Sequence, residues 1–461
     1  MAIRLYNSLS GEKEVFKPLE PGVVKMYSCG PTVYNYFHIG NARAFVVFDM
    51  VRRYLRYRGY QVKFVQNFTD VDDKLIKRAN ELETTVDQVA GQYIDAYFSD
   101  ASALGIEQAD VHPRVTETMN DIISFVSGLI DAGYAYVAEG DVLFDTSKFQ
   151  GYGKLSKQSL AELQTGSRIE VTDLKQNATD FTLWKTAKPG EPWWDSPWGR
   201  GRPGWHIECS AMIHKHLGEH IDIHGGGHDL LFPHHENEIA QSEALLGEPL
   251  ARYFMHNGYI NINNEKMSKS LGNSIFVHEL VKRYDSRALR LFLLSAQYRS
   301  PINYSDEVMG QMVAAIRRID SCCDSLSAKM EMLYLPEGTP FDSSKWEERL
   351  VEAMDDDMNT GDAIGILFDF VRDSNSYLHE GNIDREGLHD RYEKLKSWLQ
   401  LFGLEKKSSE FPEEDVTKMI EERAQARIGR DFAKADAIRA KLLERGIHLE
   451  DTAQGVRWWR E

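Results

Sequence analysis

The stretch VVKMYSCGPTVYNYFHIGNARAFVVFDMVRRYLRYRGYQVKFVQNF, from Val23 to Phe68, decides the fold. Val23 to Cys29 is a short apolar run that reads as a buried strand, and Gly30-Pro31-Thr32 as the turn after it. From about Asn41 to Tyr57, the residues Phe45, Phe48, Val51 and Leu55 recur at helical spacing and mark one apolar face. Gln61 to Phe68 returns to strand character. Strand, helix and strand in that order predict a parallel pair with a crossover helix, and so an α/β domain.

The start of that helix carries His38-Ile39-Gly40-Asn41, and far downstream a polar turn carries Lys266-Met267-Ser268-Lys269-Ser270. Alone, the first reads as a surface histidine at a helix start and the second as a solvated basic loop. Together, on an α/β background, they describe two halves of a nucleotide site. An imidazole at a helix N-terminus and two lysines on a loop both suit the charge of a triphosphate. Neither a G-x-x-x-x-G-K-[ST] loop nor a G-x-G-x-x-G turn is present, so a nucleotide must be held by other means.

Outward from this core, Asp70 to Asn80 reads as helix. Ile221 to His224 reads as a short strand followed by a flexible Gly225-Gly226-Gly227. A helix is expected to begin near Pro233, and Tyr253 to His256 resumes the sheet. The expected organisation is a Rossmann-type parallel-sheet catalytic domain in two halves, 1–115 and 201–304, split by an insertion at 116–200 that ends in Trp193, Trp194, Pro197 and Trp198. A helical bundle follows at 305–404, with a loop from Leu335 to Ser344 and a helix start at Asn359-Thr360. Residues 405–415 read as a charged linker, and 416–461 as a small C-terminal domain.

The chain has 461 residues, 54 Lys and Arg against 71 Asp and Glu, and a net charge of −17. That balance argues against indiscriminate nucleic-acid binding, since the phosphate backbone would be repelled, and confines any such contact to local basic faces. No apolar stretch is long enough to span a bilayer, and Met1 to Pro18 is polar. Four cysteines, two of them adjacent (Cys322 and Cys323), argue against a disulfide framework and for a reducing, cytoplasmic setting.

Histidines crowd between His206 and His235, most of them expected to be structural or exposed. His234 and Glu238 are i and i+4 and share a helical face. Cys29 ends the first strand and Cys209 follows Trp205-His206-Ile207-Glu208. If the sheet gathers these four, two thiolates, an imidazole and a carboxylate make a tetrahedral zinc site. Spacing alone leaves buried hydrophobic cysteines as the alternative.

The chain resembles the bacterial cysteinyl-tRNA synthetases, a family of class I aminoacyl-tRNA synthetases. The resemblance rests on Met26 to Tyr34, Asn67 to Lys74, Pro203 to Ser210, Gly225 to Leu230 and Phe232 to Glu238, in this order. It implies one Zn2+ on Cys29, Cys209, His234 and Glu238, which accepts the thiolate of L-cysteine in preference to a serine hydroxyl. It implies ATP, with Mg2+, held by His38, Asn41, Gly227, Asp229, Lys266 and Lys269, of which His38, Lys266 and Lys269 are catalytic. Gly30, Thr69 and Trp205 would line the cysteine pocket. The partner would be tRNA(Cys), its anticodon read by the C-terminal domain through Arg427, Asp436 and Asp451. The chain would be a monomer without a membrane attachment. Asn41 departs from the broader class I signature, which more often ends in histidine, though an amide can still donate to a phosphate oxygen. Two other readings compete: a ligase with the same core that joins cysteine to an amino-sugar, and a catalytically silent zinc- or nucleotide-binding paralogue.

Overall fold

Four parallel strands form the sheet that positions everything else: β1 (Val23–Ser28), β2 (Gln61–Gln66), β3 (Ile221–Gly227) and β4 (Ala251–Asn257), in spatial order β4-β3-β1-β2. The computed structural model describes residues 2–158, 174–267, 274–331, 335–338, 340–380, 383–406, 413–429, 431–443, 447–452 and 455–460. They fall into two compact units, 1–404 and 405–461.

Helix α1 (Ile39–Tyr57) crosses between β1 and β2 as the apolar spacing predicted, with Phe45, Phe48, Val51 and Leu55 all buried. It starts two residues earlier than expected because His38 caps it. The imidazole Nδ1 accepts from Asn41 N at 3.2 Å, and the Asn41 side chain returns a bond to His38 N at 3.4 Å. A reciprocal cap of this kind satisfies N–H groups that no helical carbonyl can reach. The helix expected at Asp70 to Asn80 runs from Asp73 to Glu81, because the Asp72 carboxylate caps it by accepting from Lys74 N at 2.6 Å.

The glycines at 225–227 are not a flexible turn. They complete β3, a central strand, and lie opposite Met255, His256 and Asn257 of β4. A Cβ on Gly225 would fall 2.2 Å from the Phe48 ring of α1, so absence of side chains lets the helix lie directly on the strand. After β3, Leu231–His235 forms one wide turn in which Phe232 leaves helical geometry, and α3 (Glu236–Leu246) follows. The helix expected near Pro233 is thus a turn joined to a helix. Helix α2 (Trp205–Leu217) precedes β3.

The insertion holds a helix, Met119–Asp131, and a four-stranded antiparallel sheet of Ala135–Ala138, Asp141–Phe144, Phe181–Thr186 and Gly201–Pro203. Its last strand runs directly into α2. Downstream lie α4 (Ser286–Leu294) and four longer helices, α5 (Asp306–Met330), α6 (Ser344–Asp355), α7 (Thr360–His379) and α8 (Arg385–Phe402). The Asn359 side chain accepts from Asp362 N at 3.2 Å and starts α7 as expected. In unit 405–461, helices Glu413–Ile428 and Phe432–Leu443 and a hairpin, Ile447–Thr452 with Gly455–Arg460, enclose Ile438, Leu442, Ile447 and Leu449.

A buried charge cluster ties α1 to the end of the bundle. Asp49 meets Arg52 at 2.7 Å, Arg53 at 2.8 Å and Arg290 of α4 at 2.6 Å. Arg290 in turn donates to the carbonyls of Phe402, at 2.6 Å, and Leu104, at 3.1 Å. Charges this deep are stable only when paired and hydrogen-bonded.

Candidate metal centre and nucleotide site

Cys29, Cys209, His234 and Glu238 come from four separate places: the end of β1, α2, the wide turn and α3. The fold brings their ligand atoms within 4.8 Å of one another, and all four are buried. Cys29 Sγ lies 3.9 Å from Cys209 Sγ and 3.6 Å from Glu238 Oε1. His234 Nε2 lies 3.5 Å from Cys209 Sγ and 3.1 Å from Glu238 Oε1. Tetrahedral zinc with its usual bond lengths separates two sulfurs by about 3.8 Å and a sulfur from a nitrogen by about 3.5 Å. The sulfur–sulfur and sulfur–nitrogen separations are close to those spacings, so the four donors form a possible metal-binding cluster.

Its electrostatics agree. Burial, and then the neighbouring Cys209, push the Cys29 thiol well above its ordinary value, and burial holds His234 well below its own. Two thiols, a carboxyl group and an imidazole packed together away from water are groups that a soft divalent cation can bind once the thiols lose their protons. Outside the four, His234 Nδ1 pairs with His206 Nδ1 at 2.9 Å, which orients the ring. Three further histidines surround the set. His224 Nε2 meets Glu238 Oε2 at 2.8 Å, His235 Nε2 meets Cys29 Sγ at 3.3 Å, and His235 Nδ1 meets His256 Nε2 at 2.8 Å. The sequence shows His224 and His235 as part of a crowd but leaves His256 outside it, and only the register of β3 and β4 brings His256 to them. His224 and His256 sit on adjacent strands, two rungs apart.

The three residues expected to line a cysteine pocket, Gly30, Thr69 and Trp205, each pack beside the metal cluster or its neighbours. Gly30 N donates to Asn67 Oδ1 at 2.9 Å, and a Cβ on Gly30 would fall 1.7 Å from the Asn67 carbonyl oxygen. Only glycine lets the ends of β1 and β2 close this tightly. Thr69 is buried, and its hydroxyl donates to Glu208 Oε2 at 3.1 Å. Burial, and then Asp72, push the Glu208 carboxyl well above the usual range. Trp205 is 40% exposed, so it is no core residue, and its ring stacks on His234 with centroids 4.4 Å apart. Trp205, His206 and Glu208 open into a cavity of about 320 Å³ shared with the insertion through Tyr152, Phe181 and Lys185. Sequence reasoning missed Asn67 and Glu208. Their signal was position, beside Thr69 and Cys209 respectively.

At the nucleotide end, the two motifs meet. A Cβ on Gly40 would fall 2.6 Å from Met267 Cε, so Met267 packs against the start of α1. Beyond the loop, Ile39 N donates to the Ile275 carbonyl at 2.9 Å and Val277 N to that of Phe37 at 3.1 Å. The described segments on both sides of the lysine loop thus sit beside His38. Lys269 and the side chain of Lys266 lie outside the described residues. Asp229 is exposed in the turn His228–Leu230, and its carboxylate comes within 2.4 Å of where a Gly227 Cβ would stand. In unit 405–461, Arg427 and Asp436 are exposed on its two helices; Asp451 belongs to the hairpin, and its side chain lies outside the described residues.

Comparison with known proteins places this geometry. Residues 15–314 match the family of class I tRNA synthetase (C) catalytic domains, and residues 349–406 match the DALR domain. The chain is 53% identical over 466 residues to the Cysteine--tRNA ligase of Geobacillus thermodenitrificans, covering 100% of this chain and 99% of that one. It is 54% identical over 464 residues to that of Bacillus cereus, with 100% of each chain covered. A methionyl-tRNA synthetase of Mycobacterium tuberculosis solved with methionyl-adenylate superposes with a TM-score of 0.60 at 15% identity, over 83% of this chain and 88% of that one, a likeness of fold. With half its length in the class I catalytic family and full-length relatives above 50% identity, the chain belongs to the cysteine–tRNA ligases, class I aminoacyl-tRNA synthetases.

Proposed function

We propose that Cys29, Cys209, His234 and Glu238 hold one zinc ion, and that this ion selects L-cysteine for a chain whose activity is the ATP-dependent charging of tRNA(Cys). The observation that carries the reading is the convergence of these four buried donors within 4.8 Å, with sulfur–sulfur and sulfur–nitrogen separations close to those of tetrahedral zinc. Bound zinc supplies a thiolate-preferring Lewis acid, which separates cysteine from serine where a plain pocket discriminates a near-isostere only about 10–200-fold.

The chain's own residues do the rest. Thr69, Trp205 and the backbone at Gly30 wall the pocket and hold the amino acid with its carboxylate towards α1. His38 and Asn41, at the N-terminus of α1, bind the phosphates of ATP, whose charge the helix end favours. Gly227 and Asp229 take the ribose side, the glycine by allowing close backbone approach. Lys266 and Lys269 neutralise the leaving pyrophosphate as the carboxylate attacks the α-phosphate, with Mg2+ accompanying ATP. Phosphoryl chemistry of this kind is mainly positioning and charge stabilisation. The 3′ ribose of the tRNA then accepts the cysteinyl group, while Arg427, Asp436 and Asp451 contact the anticodon. Four free cysteines fit the reducing cytoplasm, and the family resemblance suggests a monomer.

Charging of bacterial tRNA with labelled cysteine, with serine as the paired control, tests the reading. Cysteine-specific charging supports it, and cysteine activation without charging of tRNA counts against it. Lys269→Ala should lower adenylate formation by orders of magnitude with zinc content unchanged; unimpaired pyrophosphate exchange would remove the lysine from the mechanism. Thr69→Val keeps the side-chain shape but leaves Glu208 without its partner. It should raise KM for cysteine by about 10-fold, the scale of one unsatisfied buried group, and leave KM for ATP unchanged.

A further inference from the structure

Behind the four proposed zinc ligands lies a second set, Cys29, His224, His235 and Glu238, whose ligand atoms are also within 4.8 Å of one another and wholly buried. It shares Cys29 and Glu238 with the first set and replaces Cys209 and His234 by two imidazoles. The division of the shared groups is geometrically consistent. Glu238 turns Oε1 to His234, at 3.1 Å, and Oε2 to His224, at 2.8 Å, so its two oxygens face different sets. Cys29 Sγ has Cys209 Sγ at 3.9 Å, in the first set, and His235 Nε2 at 3.3 Å, in the second.

We propose that this chain can hold a second borderline-soft divalent cation in the set Cys29, His224, His235 and Glu238, with the Cys29 thiolate and the Glu238 carboxylate bridging two ions. Each ion would then have four protein donors: Cys209, His234 and the two bridges on one side, and His224, His235 and the two bridges on the other. A thiolate sulfur has lone pairs for two metals, and a carboxylate can give one oxygen to each. Adjacent ions in two-metal sites stand about 3.5–4 Å apart.

Behind the second set, His235 has the supporting relay that a ligating imidazole needs, whereas His224 Nδ1 is buried without a partner. With Nε2 turned to the metal, His235 can donate from Nδ1 to His256 Nε2 at 2.8 Å, and His256 from its own Nδ1 to Ser8 Oγ at 2.8 Å. A carbonyl, carboxylate, hydroxyl or ring acceptor behind a ligating imidazole fixes its tautomer, and here the relay continues through two residues. Charge also balances. Three anionic donors, Cys29, Cys209 and Glu238, face two positive charges with one ion and four with two, so either state is within one charge of neutral.

The proposal rests on the first set being a zinc site, so its test must separate the two failures. The metal-stripped full-length chain would be equilibrated with excess Zn2+, freed of unbound ion and assayed for metal content. Two zinc ions per chain, falling to one in His224→Gln and in His235→Gln, supports the proposal. One ion in the unaltered chain overturns it and leaves the first site standing; none overturns both. Two ions that persist in both variants place the second ion elsewhere and overturn it as well. Cobalt(II) titration of the unaltered chain needs no substitution. The high-spin resonance should grow with the first equivalent and shrink with the second as the bridged ions couple, whereas a resonance that simply doubles would exclude shared ligands.

Discussion

Cys209→Ser is expected to empty the zinc site and to reduce cysteine-dependent pyrophosphate exchange by about 1000-fold or more, since loss of an outer partner of a metal ligand already costs about 10–100-fold. The thiol lies 3.5 Å from His234 Nε2 and 3.9 Å from Cys29 Sγ. A hydroxyl there is shorter, harder and does not ionise at neutral pH, so the donor set loses both reach and charge. Metal analysis of the purified variant checks the first half, and exchange kinetics the second. Because Cys209 faces inwards from the middle of α2, with Ile207, Ala211 and Met212 buried around it, the fold should persist, and a circular dichroism spectrum like that of the unaltered chain should confirm it. Normal zinc content in this variant would disqualify the set.

Asp49→Ala is expected to destabilise the chain by about 3–5 kcal/mol, the usual result of removing one partner from a buried, hydrogen-bonded charge cluster. Three guanidiniums, those of Arg52, Arg53 and Arg290, would remain around a missing carboxylate, two of them fully buried. Urea unfolding followed by far-ultraviolet circular dichroism should show a lower midpoint. The pH dependence carries the same signature. Burial pushes the Asp49 carboxyl up, but Arg290, then Arg53 and Arg52, hold it down at about 2. A carboxylate with a depressed folded value stabilises fully above the ordinary carboxylate range and loses that contribution as pH falls towards about 2. The stability gap between the unaltered chain and Asp49→Asn should therefore narrow between about pH 4 and pH 2. A constant gap over that window would mean that the charge of Asp49 contributes little.

The α/β core was legible because α1 repeats its apolar residues at helical spacing and β1 and β2 flank it as apolar runs. The first candidate metal set could be assembled from spacing only as one option beside buried cysteines, and resemblance favoured it, since its residues are spread over more than two hundred positions and nothing local marks Cys29 as a partner of Glu238. Where local reading failed, tertiary packing had overridden it. Three glycines in a row read as a turn on propensity, yet they continue a parallel strand in which Phe48 needs the bareness of Gly225 and His235 that of Gly226. The converging histidines were hidden for a related reason. Which faces of β3 and β4 look at Cys29 depends on register and on the wide turn at Leu231–His235, and neither is written in a repeat.

That bare strand also limits how the pocket could be remodelled. Gly225 is pressed against Phe48, and a Cβ on Gly226 would fall 2.8 Å from His235 Cε1, so the glycine end of β3 offers no side chains to trim and no gap to widen. On the proposed reading, room for a thiol amino acid one methylene longer than cysteine is more readily made at Trp205, which is 40% exposed and borders the cavity under the insertion. If Trp205 and Thr69 line the cysteine pocket as proposed, variants that accept homologous thiols are expected at these two positions rather than on the glycines of β3.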